Sequence, residues 1–347
     1  MHAYGVKVDY DSYGLQQGEI ITAASGNHMS IMQEAKSKGI YTGIINSGSI
    51  IEPGTGVFVA SDPLREHYEA ISKKIIQSGT DIILSGGEEW LLPEGFKGRH
   101  GAGKRKDGLN LISWAEQNGY KVVYNRDELL KVSAGVEKLL GVFAEGHTFN
   151  DKPEEILVQN NLQNYSPDAP TLAEMTKKAI DIFSNKEGNF MLVVEEEGTD
   201  NFGNCNNAGG YLEALKRADD AIGVVLKYIH QNPNTLIITA SDSEAGGLEV
   251  LGDTEDKMNP DNPVPANDKN GAPIDGRNGT GSKPFISAPD KFGNRFPFEI
   301  HWSTKSDIYG SVVARAGGLN AEYVNGSFDN TDVYRVMYLT LFGKLLK

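Results

Sequence analysis

Near the middle of the chain stands Phe190-Met191-Leu192-Val193-Val194, an apolar run that leads directly into the acidic turn Glu195-Glu196-Glu197-Gly198-Thr199-Asp200. A helical stretch follows over roughly residues 206–230, and a second apolar run, Thr235–Ala240, ends at Ser241-Asp242-Ser243-Glu244. This order of strand, helix and strand predicts two parallel neighbouring strands joined by a right-handed crossover. Both groups of carboxylates would then lie at the carboxyl edge of one sheet, where open α/β sheets place ligand and metal sites.

The composition is typical of a globular α/β protein. The chain has 347 residues, of which 39% are hydrophobic and 23% are charged. Its formal net charge of −14 argues against non-specific nucleic-acid binding, because a phosphate backbone requires a basic surface. The single cysteine, Cys205, excludes an internal disulfide and a cysteine-rich metal site. No apolar run approaches the roughly 20 residues of a membrane-spanning helix, and the first residues lack the pattern of a signal peptide, so we expect no membrane partner.

Apolar strands and amphipathic helices alternate along most of the chain. This pattern predicts a single domain over residues 1–347 with a three-layer α/β/α fold and a doubly wound, mostly parallel sheet. Residues 251–300 are dense in Pro, Gly, Asn and Asp, and they predict an irregular, crown-like insertion. A capping box, with Thr171 as the N-cap and Glu174 three residues later, predicts a helix start.

Two further patterns carry structural expectations. The helix after residue 206 has an apolar stripe that is expected to face the sheet. That stripe comprises Leu212, Leu215, Ala218, Ile222, Val225 and Ile229. The segment Gly98–Arg105 approximates a phosphate-binding P-loop, but its last position holds Arg105 instead of Ser or Thr and no strand leads directly into it. We therefore interpret that segment as a basic loop.

The acidic turns and their flanking residues resemble the metal-binding core of the alkaline phosphatases. That family typically reads Val-Glu-Gly-Gly-x-Ile-Asp-His-x-x-His-x-Asn-Asn-Ala and, later, Thr-Ala-Asp-His-Glu-Thr-Gly-Gly. The corresponding residues here are Val194-Glu195, Gly198-Thr199-Asp200, Asn206-Asn207-Ala208, and Thr239-Ala240-Ser241-Asp242-Ser243-Glu244-Ala245-Gly246-Gly247. The likeness extends over almost the whole chain, and it implies a phosphomonoester hydrolase with a two-metal centre and a magnesium site.

The resemblance implies roles for individual residues. Glu195, Asp200 and Asp242 match metal ligands. Arg65, which follows Phe58 by the same spacing as in the family, matches the arginine that clamps phosphate, a task for which a guanidinium fork is suited. Glu52 takes the place of a His or Asp that holds magnesium, and Gly54 takes the place of a Thr that does so.

The departures from the family pattern fall on the zinc-binding histidines. Their aligned positions hold Asn204, Ser243 and Asp307, or Ser306 instead of Asp307 if the alignment shifts by one residue. Oxygen ligands suit magnesium or calcium better than zinc, so the residues favour a hard divalent cation although the family implies zinc. Glu244 is a further candidate for this acidic basin, and His147 is interpreted as a polar loop residue.

The family's nucleophile lies shortly before the element that Ala3-Tyr4-Gly5-Val6-Lys7 resembles, so no residue of this sequence matches it. We expect a divergent, metal-dependent phosphatase that acts on a small phosphoester, with homodimerisation implied by the family. Two alternatives remain: a catalytically inactive homologue that serves as a binding or structural protein, and a truncated product. The family is mostly periplasmic or secreted, and the absence of a signal-peptide pattern leaves the compartment unassigned.

Overall fold

The computed structural model describes residues 1–252, 267–276 and 285–346. Its strands are β1 (Leu15–Gln16), β2 (Glu19–Ile20), β3 (Tyr41–Ser49), β4 (Ile82–Gly86), β5 (Tyr120–Val123), β6 (Lys138–Val142), β7 (Phe190–Glu195), β8 (Leu236–Thr239), β9 (Glu244–Ala245), β10 (Leu248–Gly252), β11 (Phe285–Ile286), β12 (Pro297–Trp302), β13 (Asp307–Ile308) and β14 (Arg315–Gly318). Its α-helices are α1 (Ile31–Ser37), α2 (Pro53–Gly56), α3 (Tyr68–Gln77), α4 (Leu111–Gln117), α5 (Arg126–Leu130), α6 (Glu154–Gln159), α7 (Leu172–Ser184), α8 (Gly198–Asn204), α9 (Ala208–Gln231) and α10 (Asp332–Phe342).

The central sheet is parallel and has the strand order β5-β6-β4-β3-β7. Successive residues of its strands face opposite sides, as the pleat requires. Ile44 and Ile83 pack in one apolar cluster with α1, α3 and α4, whereas Ile45 and Leu84 pack in a second cluster with α7. Helices thus cover both faces, and the predicted three-layer α/β/α fold is confirmed.

The expected pairing of the strands on either side of α9 is wrong. Among the described residues, β7 pairs only with β3, while β8 pairs antiparallel with β14, with Thr239 opposite Arg315. The helix between them packs mainly on α7 and α8 instead of covering a β7–β8 ladder. The backbone groups of β8 are therefore satisfied by β14, which arrives from near the end of the chain.

The apolar stripe predicted for α9 is also wrong. Leu212 and Leu215 are 38% and 43% exposed, whereas the buried positions are small residues. These positions are Ala208, Gly210, Ala214 and Ala221. A Cβ at Gly210 would lie 2.4 Å from Cδ1 of Phe202, so the helix buries the face on which its backbone can approach its neighbours most closely. The helix begins at Ala208, and Asn207 is its N-cap, because the Asn207 side-chain oxygen accepts the Gly210 N–H at 2.6 Å.

The region predicted as an irregular insertion contains regular pairing where it is described. Strand β10 pairs antiparallel with β12, and β11 pairs with the other edge of β12. The segment 267–276 adds to this layer, since Asp275 and Ile300 exchange backbone hydrogen bonds of 3.0 Å. Residues 253–266 and 277–284 of the predicted insertion lie outside the described residues.

The loop that approximates a P-loop is held by a buried arginine. Arg105 is 1% exposed, and its Nη1 donates to the Glu69 and Trp90 carbonyls at 3.0 and 2.9 Å. Its guanidinium also pairs with Asp107. Arg105 therefore has a structural role, in agreement with the rejection of a P-loop. In the part of the chain that the structure describes, no helix is both long and apolar enough to cross a membrane.

The capping box at α7 is confirmed: Thr171 Oγ1 accepts the Glu174 N–H at 3.2 Å, and Glu174 Oε2 accepts the Thr171 N–H at 3.0 Å. We predict that Thr171→Ala lowers the free energy of unfolding by about 1 kcal/mol, because a helix donor loses its acceptor. Urea titration of the variant and the wild type measures the difference. Thr171→Ser keeps the hydroxyl and should recover most of the loss; equal stability of the alanine variant and the wild type would contradict the prediction.

Candidate metal centre

The carboxyl ends of β3 and β7 form one wall of the candidate site. Asn46 of β3 lies opposite Glu195 of β7 in the parallel ladder. Asn46 Nδ2 donates to Glu195 Oε2 at 2.5 Å and to Thr55 Oγ1 at 3.2 Å, while its Oδ1 accepts the Gly48 N–H at 2.6 Å. The buried Asn46 amide therefore fixes the direction of the Glu195 carboxylate.

The Glu195 carboxylate lies against the backbone of α2. A Cβ at Gly54 would be 1.5 Å from Glu195 Oε1, so this position accommodates the carboxylate only because it lacks a side chain. Burial, followed by the charges of Asp242, Glu52 and Asp200, raises the pKa of Glu195 to about 8. The structure therefore brings these four predicted ligands close enough for their charges to repel one another.

A second group of predicted ligands surrounds Asn204. Within α8, Asp200 and Asn204 are four residues apart and share a face. Asn204 Nδ2 donates to Asp200 Oδ1 at 3.1 Å and to Asp307 Oδ1 at 2.8 Å, and Asn204 Oδ1 accepts the Gly246 N–H at 3.1 Å. Burial and then Asp307 raise the pKa of Asp200 to about 8. Of the two residues left open by the sequence, Asp307 is the one in this group; the Ser306 hydroxyl instead bonds Thr304 at 3.1 Å.

The turn after β8 contributes only part of what was predicted. Asp242 is exposed, and its negative charge acts on the Glu195 carboxyl group and on the amino group of Met1. Met1 therefore lies near the site. Within the described residues, no hydrogen bond joins the Ser243 hydroxyl to this group, and its role as a ligand stays a prediction. Glu244 faces Gly310 instead, and burial, followed by the charge of Glu244, raises the pKa of Tyr211.

The predicted phosphate clamp and the predicted magnesium ligand contact each other. Arg65 Nη2 lies 3.7 Å from Glu52 Oε2, and the Arg65 side chain is 45% exposed. Burial raises the pKa of Glu52, and His147 and Arg65 oppose this effect. His147 accepts the Ser49 N–H at 3.2 Å through Nδ1. His147 thus lies in a loop at the border of the site, close enough to Glu52 to oppose the rise of its pKa.

The sequence analysis missed two residues of the site, Asn46 and Glu197. Burial and then Glu195 raise the pKa of Glu197 well above its ordinary range, whereas Glu196 points elsewhere and accepts hydrogen bonds from Ser47 and Tyr165 at 2.5 and 2.8 Å. Glu197 lies beyond the end of β7 and is the N-cap of α8, so the run of three glutamates marks an acidic turn without telling which of them face the site. No sequence signal singles out Asn46.

The candidate ligand atoms are of the type that a hard cation prefers, but they are not arranged around a common point. Its side-chain ligands are carboxylate and amide oxygens, which magnesium and calcium prefer. Within the described residues, no group of three or more His, Cys, Asp or Glu side chains is arranged to hold a metal ion as it stands. The Asn204 amide nitrogen occupies one oxygen each of Asp200 and Asp307, so cation binding would require these side chains to rotate.

Comparison with known proteins agrees with this arrangement of fold and acidic residues. The family model described as alkaline phosphatase matches residues 2–342, and the chain therefore belongs to the alkaline phosphatase family. It is 26% identical over 263 residues to the alkaline phosphatase of Escherichia coli strain K12, a match that covers 66% of this chain and 54% of that protein. It is 29% identical over 240 residues to the repressible alkaline phosphatase of Saccharomyces cerevisiae, covering 63% of this chain and 40% of that protein. The chain thus spans about half the length of the curated relatives it matches.

Solved structures show the same fold. The alkaline phosphatase of Thermus thermophilus superposes with a TM-score of 0.72 at 22% identity, covering 99% of this chain and 78% of that one. The alkaline phosphatase of the Antarctic bacterium TAB5 gives a TM-score of 0.69 at 19% identity, covering 98% and 82%. The fold of this chain is therefore the fold of solved alkaline phosphatases.

The raised pKa values predict a pH-dependent stability when divalent cations are removed. The folded chain keeps protons on Glu195 and Asp200 up to about pH 8, whereas the unfolded chain releases them near the ordinary values of 4.5 and 3.8. Below those ordinary values neither group lowers the free energy of unfolding, and above about pH 8 both lower it in full. The free energy of unfolding therefore falls as pH rises through this window. Thermal unfolding in a chelator should show this fall, and Glu195→Gln and Asp200→Asn should flatten it.

Asp219→Asn is a suitable control, because that exposed carboxylate of α9 lies outside the group. Its pH profile should follow that of the wild type. If the Glu195 and Asp200 variants retain the full wild-type fall in stability, these two carboxyl groups do not hold the protons assigned to them.

Proposed function

We propose that this protein is a metal-dependent phosphomonoester hydrolase that uses a hard divalent cation, magnesium or calcium, instead of zinc. The observation that carries the proposal is that carboxylates from α8 and from the turn after β8 lie close to Glu195, the last residue of β7. So many acidic groups at one edge of the sheet are favourable when a cation neutralises them. Membership of the alkaline phosphatase family supports the reaction class.

The proposed ligands form two adjoining sets. Glu52, Glu195 and Asp242 would provide one set, and Asp200, Asn204 and Asp307 the other; Ser243, beside Asp242, stays a further candidate. Two variants of the TAB5 alkaline phosphatase, with a histidine replaced by aspartate or glutamate, carry magnesium in a site named M3. In that protein, a carboxylate in place of a histidine is therefore compatible with magnesium binding, which supports an all-oxygen centre here.

Substrate phosphate would meet Arg65 at the exposed side of the centre. The distance of 3.7 Å between Arg65 Nη2 and Glu52 Oε2 is long for a charge-assisted hydrogen bond, so a phosphate could replace Glu52 as the partner. A bound cation would supply Lewis-acid stabilisation of the phosphoryl oxygens and activation of an oxygen nucleophile. The attacking group itself is not assigned to a residue of this sequence, and a water molecule or a group outside the sequence would have to supply it.

We predict that the wild type retains stoichiometric magnesium or calcium after dialysis and that Asp242→Ala loses it, because Asp242 provides charge at the open side of the centre. Elemental analysis of dialysed protein measures the content, and Asp219→Ala is the matched surface control. Unchanged metal content in Asp242→Ala would refute this ligand assignment. Turnover of p-nitrophenyl phosphate by the loaded protein tests activity separately; metal without turnover would favour an inactive, cation-binding homologue.

For Arg65 we predict weaker phosphate binding in both Arg65→Ala and Arg65→Lys. The lysine variant keeps the charge but loses the two-pronged contact, so it should not restore wild-type affinity. Loss of a hydrogen bond to a charged group corresponds to about 1.5–3 kcal/mol, or about 10- to 150-fold in the dissociation constant for inorganic phosphate. Calorimetric titration measures it, with Arg295→Ala, on the β11–β12 connection, as control. Full affinity in Arg65→Ala would remove Arg65 from the phosphate site.

A further inference from the structure

A second acidic cluster lies apart from the candidate metal centre, where the first turn of α6 meets the segment 267–276. Three of its carboxylate oxygens are buried without a hydrogen-bond partner. They are Glu154 Oε2, Glu155 Oε1 and Asp275 Oδ1. Asp275 is only 1% exposed, so water does not compensate for the missing partner. An ionised carboxylate oxygen in this condition is strongly unfavourable, and the cluster requires an additional positive charge or a proton.

The other oxygen of Asp275 has partners that favour its charged form. Asp275 Oδ2 accepts the indole N–H of Trp302 at 2.8 Å and the backbone N–H of Ala208 at 3.4 Å. Ala208 is the first residue of α9, a helix of 24 residues whose amino end attracts negative charge. Asp275 is therefore the acceptor of the cluster, and Glu154 is the group that can supply a proton.

No basic side chain among the described residues pairs with Glu154, Glu155 or Asp275. Basic side chains near the cluster already form ion pairs with other carboxylates. A cavity of about 550 Å³ is lined by Glu154 and also by Arg126 and Arg217, but Arg126 pairs with Glu174 and Arg217 with Glu213. On the side of β12, His301 lies between Asp268 and Glu299 at 2.8 and 3.2 Å. Arg126, Arg217 and His301 are therefore engaged elsewhere, and among the described residues Lys152 and Lys269 form no ion pair with the cluster.

We propose that a proton shared between the carboxyl groups of Glu154 and Asp275 fastens α6 to the segment 267–276, and that its loss at alkaline pH releases this segment. Two carboxyl groups within hydrogen-bonding reach can hold one proton between them, and they repel once it leaves. A metal ion is the other way to join them. That solution needs several ligand oxygens around the ion, whereas Asp275 is sealed from solvent and has one oxygen left to offer.

The direction of the pKa shifts agrees with a shared proton. Burial and then Asp275 raise the pKa of Glu154 to about 9, and burial raises that of Asp275 to about 6. The folded chain thus keeps a proton that the unfolded chain releases near the ordinary value for Glu of 4.5. The resulting loss of stability grows as pH rises and is complete above about pH 9, where release of the segment is expected.

The clasp, as we call the Glu154–Asp275 pair, also bears on the candidate metal centre. The segment that it holds contains Asn270, whose Nδ2 donates to Asn206 Oδ1 at 3.2 Å and to the Thr304 carbonyl at 3.3 Å. Asn206 follows α8, which carries Asp200 and Asn204, and Thr304 precedes Asp307. Release of the segment would therefore loosen the two stretches of chain that position one set of proposed ligands.

Trp302 provides the readout, since its indole N–H donates to Asp275. With Trp90 and Trp114 replaced by Phe, Trp302 is the remaining tryptophan of the chain. We expect a change in its emission between about pH 6 and about pH 10, with a midpoint near 9. Glu154→Gln should abolish this change, because an amide donates to Asp275 at every pH. Glu213→Gln, which alters another carboxylate of the same cavity, should leave the midpoint in place.

The same alkaline midpoint in Glu154→Gln as in its parent would overturn the proposal. Should that variant fail to fold, hydrogen exchange of the wild type decides: after correction for the intrinsic rate, amides of 267–276 should lose protection above about pH 9, and constant protection would overturn the proposal. Calcium titration at about pH 8 tests the competing solution. If calcium stabilises the wild type saturably and this effect disappears in Asp275→Asn, a metal ion and not a shared proton joins the two carboxyl groups.

Discussion

Repulsion among carboxylates at the carboxyl edge of the sheet is the constraint on which the site depends. The parallel register sets Glu195 opposite Asn46, and the fold then brings Glu52, Asp200 and Asp242 within range of it. Burial, and then the charges of these groups, raise the pKa of Glu195, since each carboxylate makes ionisation of the others less favourable. Apolar packing on both faces fixes the sheet topology. This topology crowds negative charges together, and the neighbouring side chains neutralise them only in part.

Several local features make this crowding possible. The absence of a Cβ at Gly54 gives the Glu195 carboxylate its space, and a Cβ at Gly48 would lie 2.7 Å from Cγ of Glu197. Backbone and carboxylate can approach in this way only at glycine. Asn46 and Asn204 meanwhile provide neutral N–H donors to Glu195 and to the Asp200–Asp307 pair. Amide groups partly compensate the negative charge without adding a positive one, which leaves the site with affinity for a cation.

The sequence was a good guide to features that depend on local pattern. Alternating apolar strands and helices predicted the layered sheet, and the Thr171–Glu174 spacing predicted the start of α7, because pleating and helix capping act over a few residues. It was a poor guide where distant segments compete. The pairing of β8 with β14 and the buried small-residue face of α9 depend on which neighbours are available, and hydrophobicity alone favoured the wrong face.

The same distinction applies to the site. Residues that match a family motif, such as Glu195 and Asp200, could be identified by position, and the structure brings them together. Ser243 also matches by position, but among the described residues its hydroxyl makes no hydrogen bond to these carboxylates, so its role stays a prediction. Asn46 gains its importance from a contact across the sheet, and Glu197 from the turn between β7 and α8, neither of which a motif records.

Two acidic clusters lie in the described part of the chain, and their surroundings determine what each can bind. Asp242 and Asp307 are exposed, so a hydrated cation can reach the first cluster and exchange water for carboxylate oxygens. Asp275 is sealed from solvent and tied to an indole and a helix terminus, which leaves one oxygen able to accept a single small partner. A proton meets that requirement without further ligands. Solvent access, more than the number of carboxylates, thus separates a cluster suited to metal from one suited to a shared proton.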